Sequence, residues 1–319
     1  MKLHVIVPAR NELQNVPYFY ERARQALEST DLDWSIVFIN NDSDDGTLQK
    51  MHELRAADPR VKVVALSRNF GYHAALIAGL SSVDGDLYAM VDVDCEDPPE
   101  LLVDFYRAIQ KGAQLAYGVR SHRDEPGVIT FGRKLFYLAN RGVADSEIVM
   151  WMGEFSMFTR QVRDALLAPK TTFVSLRAEM GYVGFVRAGV DYQRARRKYG
   201  ETHYNLPRMI VYAVASILSG TTFPLRLVLY MSAFVGLAFP LVVWASGMSA
   251  LHAGIAAAFT GLYFLIISLP LMSLYLARTY KNVTQRPTFV IDWSRSDLGE
   301  SRVGSLASRR EGASVPVGR

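Results

Sequence analysis

The sequence has almost no cysteine. A single thiol, Cys95, among 319 residues excludes an intramolecular disulfide and a cysteine-rich zinc site, and it fits a reducing, cytoplasmic compartment. No G-x-G-x-x-G follows a strand-like run and no Walker phosphate loop occurs, so neither a dinucleotide nor a P-loop nucleotide is indicated. Charge is missing altogether from one long stretch: Leu227 to Ala277, 51 residues, holds no Asp, Glu, Lys or Arg. Elsewhere 35 Lys and Arg face 31 Asp and Glu, a balance of +4 that gives no ground for a nucleic-acid partner. Half of the residues are hydrophobic and 21% are charged, too apolar for a disordered chain. The apolar run Leu3 to Val7 is too short for a signal peptide and gives way to Pro8, Arg10 and Glu12.

As one helix the uncharged stretch would run about 76 Å at 1.5 Å per residue, against a hydrocarbon core of about 30 Å. Two spans within residues 227–277 fit instead. Ser246, Gly247, Ser249 and Gly254 supply the break, which predicts a membrane hairpin of Leu227 to Ala245 and Ile255 to Leu276. Pro240 and Pro270 would kink these spans without forbidding them. A buried soluble hairpin is the alternative. Arg208 and Arg226 precede the spans and Arg278, Lys281 and Arg286 follow, while the turn has only His252. By the positive-inside rule both termini and the N-terminal domain, residues 1–208, face the cytoplasm across the inner membrane. Residues 209–226, uncharged up to Leu225 but rich in Ser, Thr and Gly, read as an interfacial helix. Residues 278–319 read as a cytoplasmic segment, disordered after Leu298 where Ser, Gly and Arg predominate. A two-span hairpin also invites self-association into a homo-oligomer.

From residue 1 to about 120 short apolar runs alternate with helical patterns, the signature of a mostly parallel α/β sheet. Strands are expected at Leu3–Val7, Trp34–Ile39, Val61–Leu66, Leu87–Val91 and Leu115–Val119. Helices are expected at about Val16–Ser29, Thr47–Ala57, Tyr72–Ser82 and Pro98–Lys111, the last capped by Asp97. Ligands of such sheets sit beyond the carboxyl ends of the strands, where this chain gathers its polar clusters. In Asp92-Val93-Asp94 the two carboxylates, two residues apart at a strand end, point to one side if the backbone is extended. Like charges that close raise each other's pKa unless a cation lies between them. A hard divalent ion, Mg2+ or Mn2+, resolves the conflict and can grip a diphosphate; an acidic loop that merely caps the next helix is the other reading.

With these motifs in order the chain resembles a family 2 glycosyltransferase of the GT-A, Rossmann-like fold, and within it the dolichyl- or polyprenyl-phosphate sugar synthases with a C-terminal membrane hairpin. The resemblance runs over about residues 3 to 293 and rests on Val7 to Glu12, Asn40 to Thr47, Leu66 to Leu80, Asp92 to Glu100 and Arg197 to Asn205, followed by the two spans. It implies a nucleotide-sugar donor, UDP-linked before GDP-linked, a polyprenyl (undecaprenyl) phosphate acceptor in the bilayer, and inversion at the anomeric carbon. By motif, Pro8, Arg10 and Glu12 line the nucleoside pocket, with Ile39 and Asn41 beside the base. Asp92, Val93, Asp94 and Glu96 surround the metal and diphosphate, Asp92 and Asp94 as metal ligands and Asp94 as a catalytic residue. Arg120 approaches the sugar or phosphate as a second catalytic residue, and Arg197 and Lys198 gate the site or bind phosphate. The chain departs from the family in Arg10 for an aromatic, Asn40-Asn41 for Asp-Asp, Tyr72-His73 for Lys-Glu and Glu96 for Gln, changes that bear on base and sugar.

Glu154 falls where the family often has an acid near the acceptor; it either assists catalysis there or is an ordinary surface glutamate. Arg133, Lys134 and Arg141, in a helical pattern from Phe131 to Asp145, either meet the acceptor phosphate or form a solvated face. The cations Arg194, Arg196, Arg197 and Lys198 precede the membrane segment and are expected to accept phosphate. Two other readings are weaker. A processive polysaccharide synthase calls for more spans and a Q-x-x-R-W motif, both absent here. A catalytically idle membrane scaffold agrees with Asn40-Asn41 but not with Asp92 and Asp94.

Overall fold

The computed structural model describes residues 1–120, 152–168, 176–199, 222–284 and 286–299. The expected alternation appears as β1 (Lys2–Ala9), α1 (Asn15–Leu27), β2 (Asp33–Asn40), α2 (Thr47–Ala57), β3 (Val61–Ala65), α3 (Tyr72–Ser82) and β4 (Leu87–Met90). A 3-10 turn at Pro99–Leu101 leads into α4 (Leu102–Gln110) and β5 (Leu115–Arg120). Then follow β6 (Met152–Thr159), α5 (Arg160–Leu167), α6 (Leu176–Tyr182) and β7 (Arg187–Tyr192). Asp97 does not cap the helix after it: no side chain bonds that helix start, and the Asp97 carboxylate is committed elsewhere, as described below.

The strands form one sheet in the order β3-β2-β1-β4-β6-β5-β7. Only β6 runs against its neighbours, antiparallel to both β4 and β5. Its ladder therefore brings its amino end, with Glu154, to the edge where the other strands have their carboxyl ends. Alternate side chains feed two apolar layers. Leu3, Val5 and Val7 of β1 pack with Phe19 of α1 and Phe105 of α4. Ile6, with Ile39 of β2, packs with Leu76 of α3, Val162 of α5 and Met180 of α6. Helix α3 lies so near the sheet that a Cβ on Gly79 would come within 2.5 Å of Ile6 and 2.8 Å of Ile39. Ile39, with no exposed surface, is thus a core residue under α3 rather than a wall beside a base.

Two further helices, α7 (Phe223–Ala245) and α8 (Ala250–Val283), are long and apolar enough to cross a membrane. The break between them is Ser246–Ser249; Gly254 lies inside α8. Residues Phe223–Arg226, placed in an interfacial helix by sequence, form the first turn of α7. Pro240 lacks the N–H a helix needs at its position, and the turn just before it, Phe234–Ala238, widens to π geometry. Leu229, Phe234, Trp244 and Leu262 are all more than half exposed, so the hairpin keeps its apolar surface outward. After α8 the chain comes back to the sheet and bridges Val63 of β3 and Leu66 just beyond it.

At the opposite end of the sheet from the ligand edge, His4 is fully buried on β1. Its Nε2 lies 2.9 Å from the Asp84 carbonyl and its Nδ1 2.6 Å from Ser35 Oγ. A carbonyl only accepts, so the proton sits on Nε2 and Nδ1 accepts from the hydroxyl. Burial pushes this imidazole down to about 4. Between pH 6.5 and 4 the unfolded chain therefore takes a proton that the folded chain resists, and stability falls as pH falls. The contribution is about 3 kcal/mol over that window. Urea titrations of the full chain in detergent, compared with His4→Gln, check it: the variant should lose this part of the slope.

Candidate active site

Three loops at the carboxyl ends of β1, β2 and β4 each hold a non-glycine residue in the left-handed region: Asn11 (φ 56), Asp42 (φ 62) and Cys95 (φ 56). Asn and Asp tolerate that region, but a cysteine rarely enters it. Such backbone persists where surrounding bonds over-determine it, and they do here. Asn11 and Asp44 bond each other twice, at 2.7 and 3.1 Å, and the Glu12 amide donates to Thr47 Oγ1 at 2.8 Å. The β2 and β3 loops are clamped in the same way. Asn41 donates from Nδ2 to Asn69 Oδ1 at 3.1 Å and accepts from the Phe70 amide at 3.0 Å.

The acidic loop departs from the extended geometry expected of it. β4 ends at Met90 and the chain turns at Val93 and Asp94 before the left-handed Cys95. The pleat is lost, yet Asp92, Asp94 and Glu96 stay partly exposed while Val93, Cys95 and Asp97 are buried. Val93 joins the core layer and lines no ligand surface. Asp92 accepts from the Tyr72 hydroxyl at 2.6 Å. Burial, and then the charges of Asp94, Asp97 and Glu154, raise its carboxyl to about 7 against the help of Tyr72. Asp94 accepts from the Glu96 amide at 3.0 Å. Burial and the charge of Asp94 also push Glu96 up.

The cations arrive from the far side of the sheet, on β5 and on the segment that leaves β7. Arg197 grips Glu12 with both carboxylate oxygens in reach, at 2.6 and 2.8 Å, and stands 3.8 Å from Asp94. Asn15, buried, shares Glu12 from behind at 2.5 Å. Arg194 pairs with Glu96, whose carbonyl accepts the Ala195 amide at 2.8 Å. Arg120 reaches Asp97 at 3.2 Å and donates to Tyr192 Oη at 3.0 Å, and Tyr192 donates to Asp97 at 2.5 Å. Although burial works against its charge, Arg120 is held firmly protonated by Asp97 and Tyr192.

Of the residues expected at the site, Glu12, Asp92, Asp94, Glu96, Arg120 and Arg197 are brought together. Glu154 joins them at the amino end of β6, 3.7 Å from His73. Asn41 stands at the neighbouring loop, Pro8 is buried within β1 and Arg10 is exposed just past it. Lys198 lies 4.1 Å over the Tyr18 ring and 5.3 Å from that of Tyr199, away from the carboxylates. Arg133, Lys134 and Arg141 fall outside the described residues. Tyr192 was not expected; nothing in the strand sequence Arg187–Tyr192 marks its last residue as a partner of Asp97.

Six carboxylates, Glu12, Asp92, Asp94, Glu96, Asp97 and Glu154, thus meet three guanidinium groups, Arg120, Arg194 and Arg197. The excess negative charge and the hard oxygen donors of Asp92 and Asp94 suit a divalent cation. No group of three or more candidate ligands occurs among the described residues. Magnesium-type sites need only one or two carboxylates, the remaining positions going to phosphate oxygens and water.

A family model described as "Glycosyl transferase family 2" matches residues 4–174. A prophage bactoprenol glucosyl transferase homolog of Escherichia coli strain K12 is 30% identical over 91% of this chain and 98% of its own. A bactoprenol glucosyl transferase of Shigella phage SfV is 32% identical over 74% of this chain and 77% of its own. Among solved structures, the mannosyltransferase PcManGT from Pyrobaculum calidifontis, in complex with GDP-Man and Mn2+, superposes with a TM-score of 0.49 at 18% identity. That match covers 88% of this chain and 86% of the other.

The Asp97 carboxylate, whose side chain is 3% exposed, is held by Tyr192 as well as by arginine. Tyr192→Phe removes a hydrogen bond to a buried charge and should lower the unfolding free energy by about 1.5–3 kcal/mol. Urea titration of the two proteins checks this, and a change below about 0.5 kcal/mol would mean that Arg120 and Arg194, 3.9 Å away, hold Asp97 without Tyr192.

Proposed function

The chain belongs to glycosyl transferase family 2, and from that premise we propose that it moves one sugar, with inversion, from a nucleoside diphosphate to polyprenyl phosphate at the cytoplasmic face of the inner membrane. The observation that carries the reading is the acidic loop at the ligand edge of a GT-A sheet, met by arginines, in a chain that continues into two membrane-length helices. The acceptor class is supported by the relatives named as bactoprenol glucosyl transferases. The positive residues near the outer ends of α7 and α8 support the orientation, since Arg226, Arg278 and Lys281 all stand away from the Ser246–Ser249 turn. A UDP-linked sugar is the favoured donor, with a GDP-linked sugar second.

The chemistry asks little of a base. A phosphate monoester with a second pKa of about 6 is already mostly anionic at neutral pH, so the acceptor can attack without a proton first being removed. The burden is to hold two anions in line and to answer the charge of the departing diphosphate. Asp92 and Asp94 would hold a Mg2+ or Mn2+ ion, which when bound would supply Lewis-acid neutralisation of that diphosphate. Arg194 and Arg197, now paired with Glu96, Glu12 and Asp94, are the side chains that reach phosphate oxygens with bidentate geometry. Arg120, fixed by Asp97 and Tyr192, presents a guanidinium whose direction is set before substrate enters. Glu154, beside His73, orients sugar hydroxyls or the acceptor.

The test is release of nucleoside diphosphate by the full chain in detergent, with polyprenyl phosphate present and with Mg2+ or Mn2+ added or chelated. Metal-dependent release from at least one common donor is expected; release from none would favour the idle scaffold. In the same assay Asp94→Ala should lower turnover at least about a hundredfold while expression and folding persist. Unchanged turnover in that variant would overturn the assignment of the acidic loop.

A further inference from the structure

β3 is the outermost strand on one side of the sheet, and an open edge presents a row of unpaired backbone groups. The chain that leaves α8 covers this one. Residues 289–298 run antiparallel to β3. Val63 and Asp297 exchange both backbone bonds at 2.8 Å, Asp292 donates to the Ala65 carbonyl at 2.8 Å, and Ser67 donates to the Val290 carbonyl at 2.9 Å. The Ala65 amide ends on Ser296 Oγ at 2.9 Å. Arg295, paired with Asp292 at 2.6 Å, donates to the Leu66 carbonyl at 3.2 Å. Leu298 is 6% exposed, and Phe289, Ile291 and Trp293 pack into the same apolar layer as α3. A segment so bonded and so buried is a part of the fold.

Direction and length give it a consequence. The segment meets β3 first at its carboxyl end, Val290 against Ser67, and leaves at its amino end, Asp297 against Val63. Seven residues lead from Val283, the end of α8, to Val290, and fully extended they reach about 25 Å. The connection before α7 runs over residues 200–221, so the later and shorter connection sets the tighter bound. Arg278 marks where α8 reaches the interface, and Val283 lies about 7 Å further along the helix. The ligand end of β3, with the Ser67–Gly71 loop clamped to Asn41, is therefore held within roughly 30 Å of the interface.

We propose that residues 289–298 moor the catalytic domain to its own membrane hairpin with the carboxyl edge of the sheet turned toward the bilayer, so that the donor site faces a lipid-borne acceptor. What the edge faces rests on the function proposed above. That the edge stays within reach of the interface rests on chain length and on α8 crossing the bilayer.

Inserting eight Gly and Ser residues between Arg286 and Pro287 lengthens the tether by about 15 Å root-mean-square and leaves the segment free to dock. A dye on Arg68→Cys reports the height of the ligand edge, because the native thiol Cys95 is only 2% exposed. Three quantities are read on the full chain in nanodiscs: energy transfer from that dye to headgroup dyes, hydrogen exchange at the Val63 and Ser67 amides, and turnover with two acceptors. One acceptor is full-length polyprenyl phosphate in the bilayer and the other a short, water-soluble prenyl phosphate. Insertion should leave exchange protection intact and reduce energy transfer. Turnover on the bilayer acceptor should fall roughly tenfold, and on the soluble acceptor change by less than about twofold. Ile291→Ala with Trp293→Ala, which frees the segment, should lose the exchange protection and the energy transfer together. Unchanged energy transfer on insertion overturns the mooring, as does reduced energy transfer with unchanged bilayer turnover. Should the parent chain move sugar to neither acceptor, the proposed function fails, and energy transfer still decides the mooring.

Discussion

Carboxylates crowded at one edge of a sheet persist only if positive charge answers them, and the architecture of this chain supplies it from across the sheet. The acidic loop follows β4, at the middle of the strand order, while the arginines come from β5 and from the segment beyond β7. Strand β6 makes this possible. By running antiparallel between β4 and β5 it lets all the other strands point their carboxyl ends one way and adds Glu154 from its own amino end. The buried Asp97–Tyr192–Arg120 group then locks the β4 loop to the ends of β5 and β7. A buried charge that loses its partner costs far more than the pair contributes, so these contacts fix the loop geometry more than they stabilise the fold.

The same charge balance has a functional side. The guanidinium groups that hold Glu12, Asp94 and Glu96 are the groups a diphosphate would draw, because both offer paired oxygens to a planar fork. Arg197 is engaged by Glu12 and only loosely by Asp94, 3.8 Å away. Arg197 also donates to the Tyr199 carbonyl at 2.6 Å, and Arg120 is pinned by Asp97 and Tyr192, so both guanidinium groups have their directions set by the fold.

The parallel half of the fold could be read from the chain because strand and helix periods are local. Val61–Ala65 or Tyr72–Ser82 announce themselves within a few residues. What escaped was long-range. Asp97 before Pro98-Pro99 has the local form of a helix cap, and only the folded chain shows it spent on Tyr192, 95 residues later. Ile39 sits next to Asn40-Asn41 in sequence, but the pleat sends it under α3. The Asp92–Asp94 pair was legible as chemistry and not as geometry, since no local pattern foretells a left-handed Cys95. By sequence Phe289–Leu298 reads only as part of a cytoplasmic segment, because backbone pairing with β3 leaves no residue signature.

That last segment changes how the two halves of the chain relate. At 1.5 Å per residue α8 is about 51 Å long, well beyond a hydrocarbon core of about 30 Å, so in the proposed arrangement its last turns would stand clear of the bilayer. The seven residues leading from Val283 to Val290 set a tighter limit on the height of the catalytic domain than the 22 residues 200–221. The effective concentration of a tethered partner depends on how well the tether matches the span. Paired along β3 and entering at its ligand end, the returning chain sets that limit through the strand next to the loop that Asn41 clamps. On that proposal the sheet edge, the Ser67–Gly71 loop and α8 act as one mechanical unit.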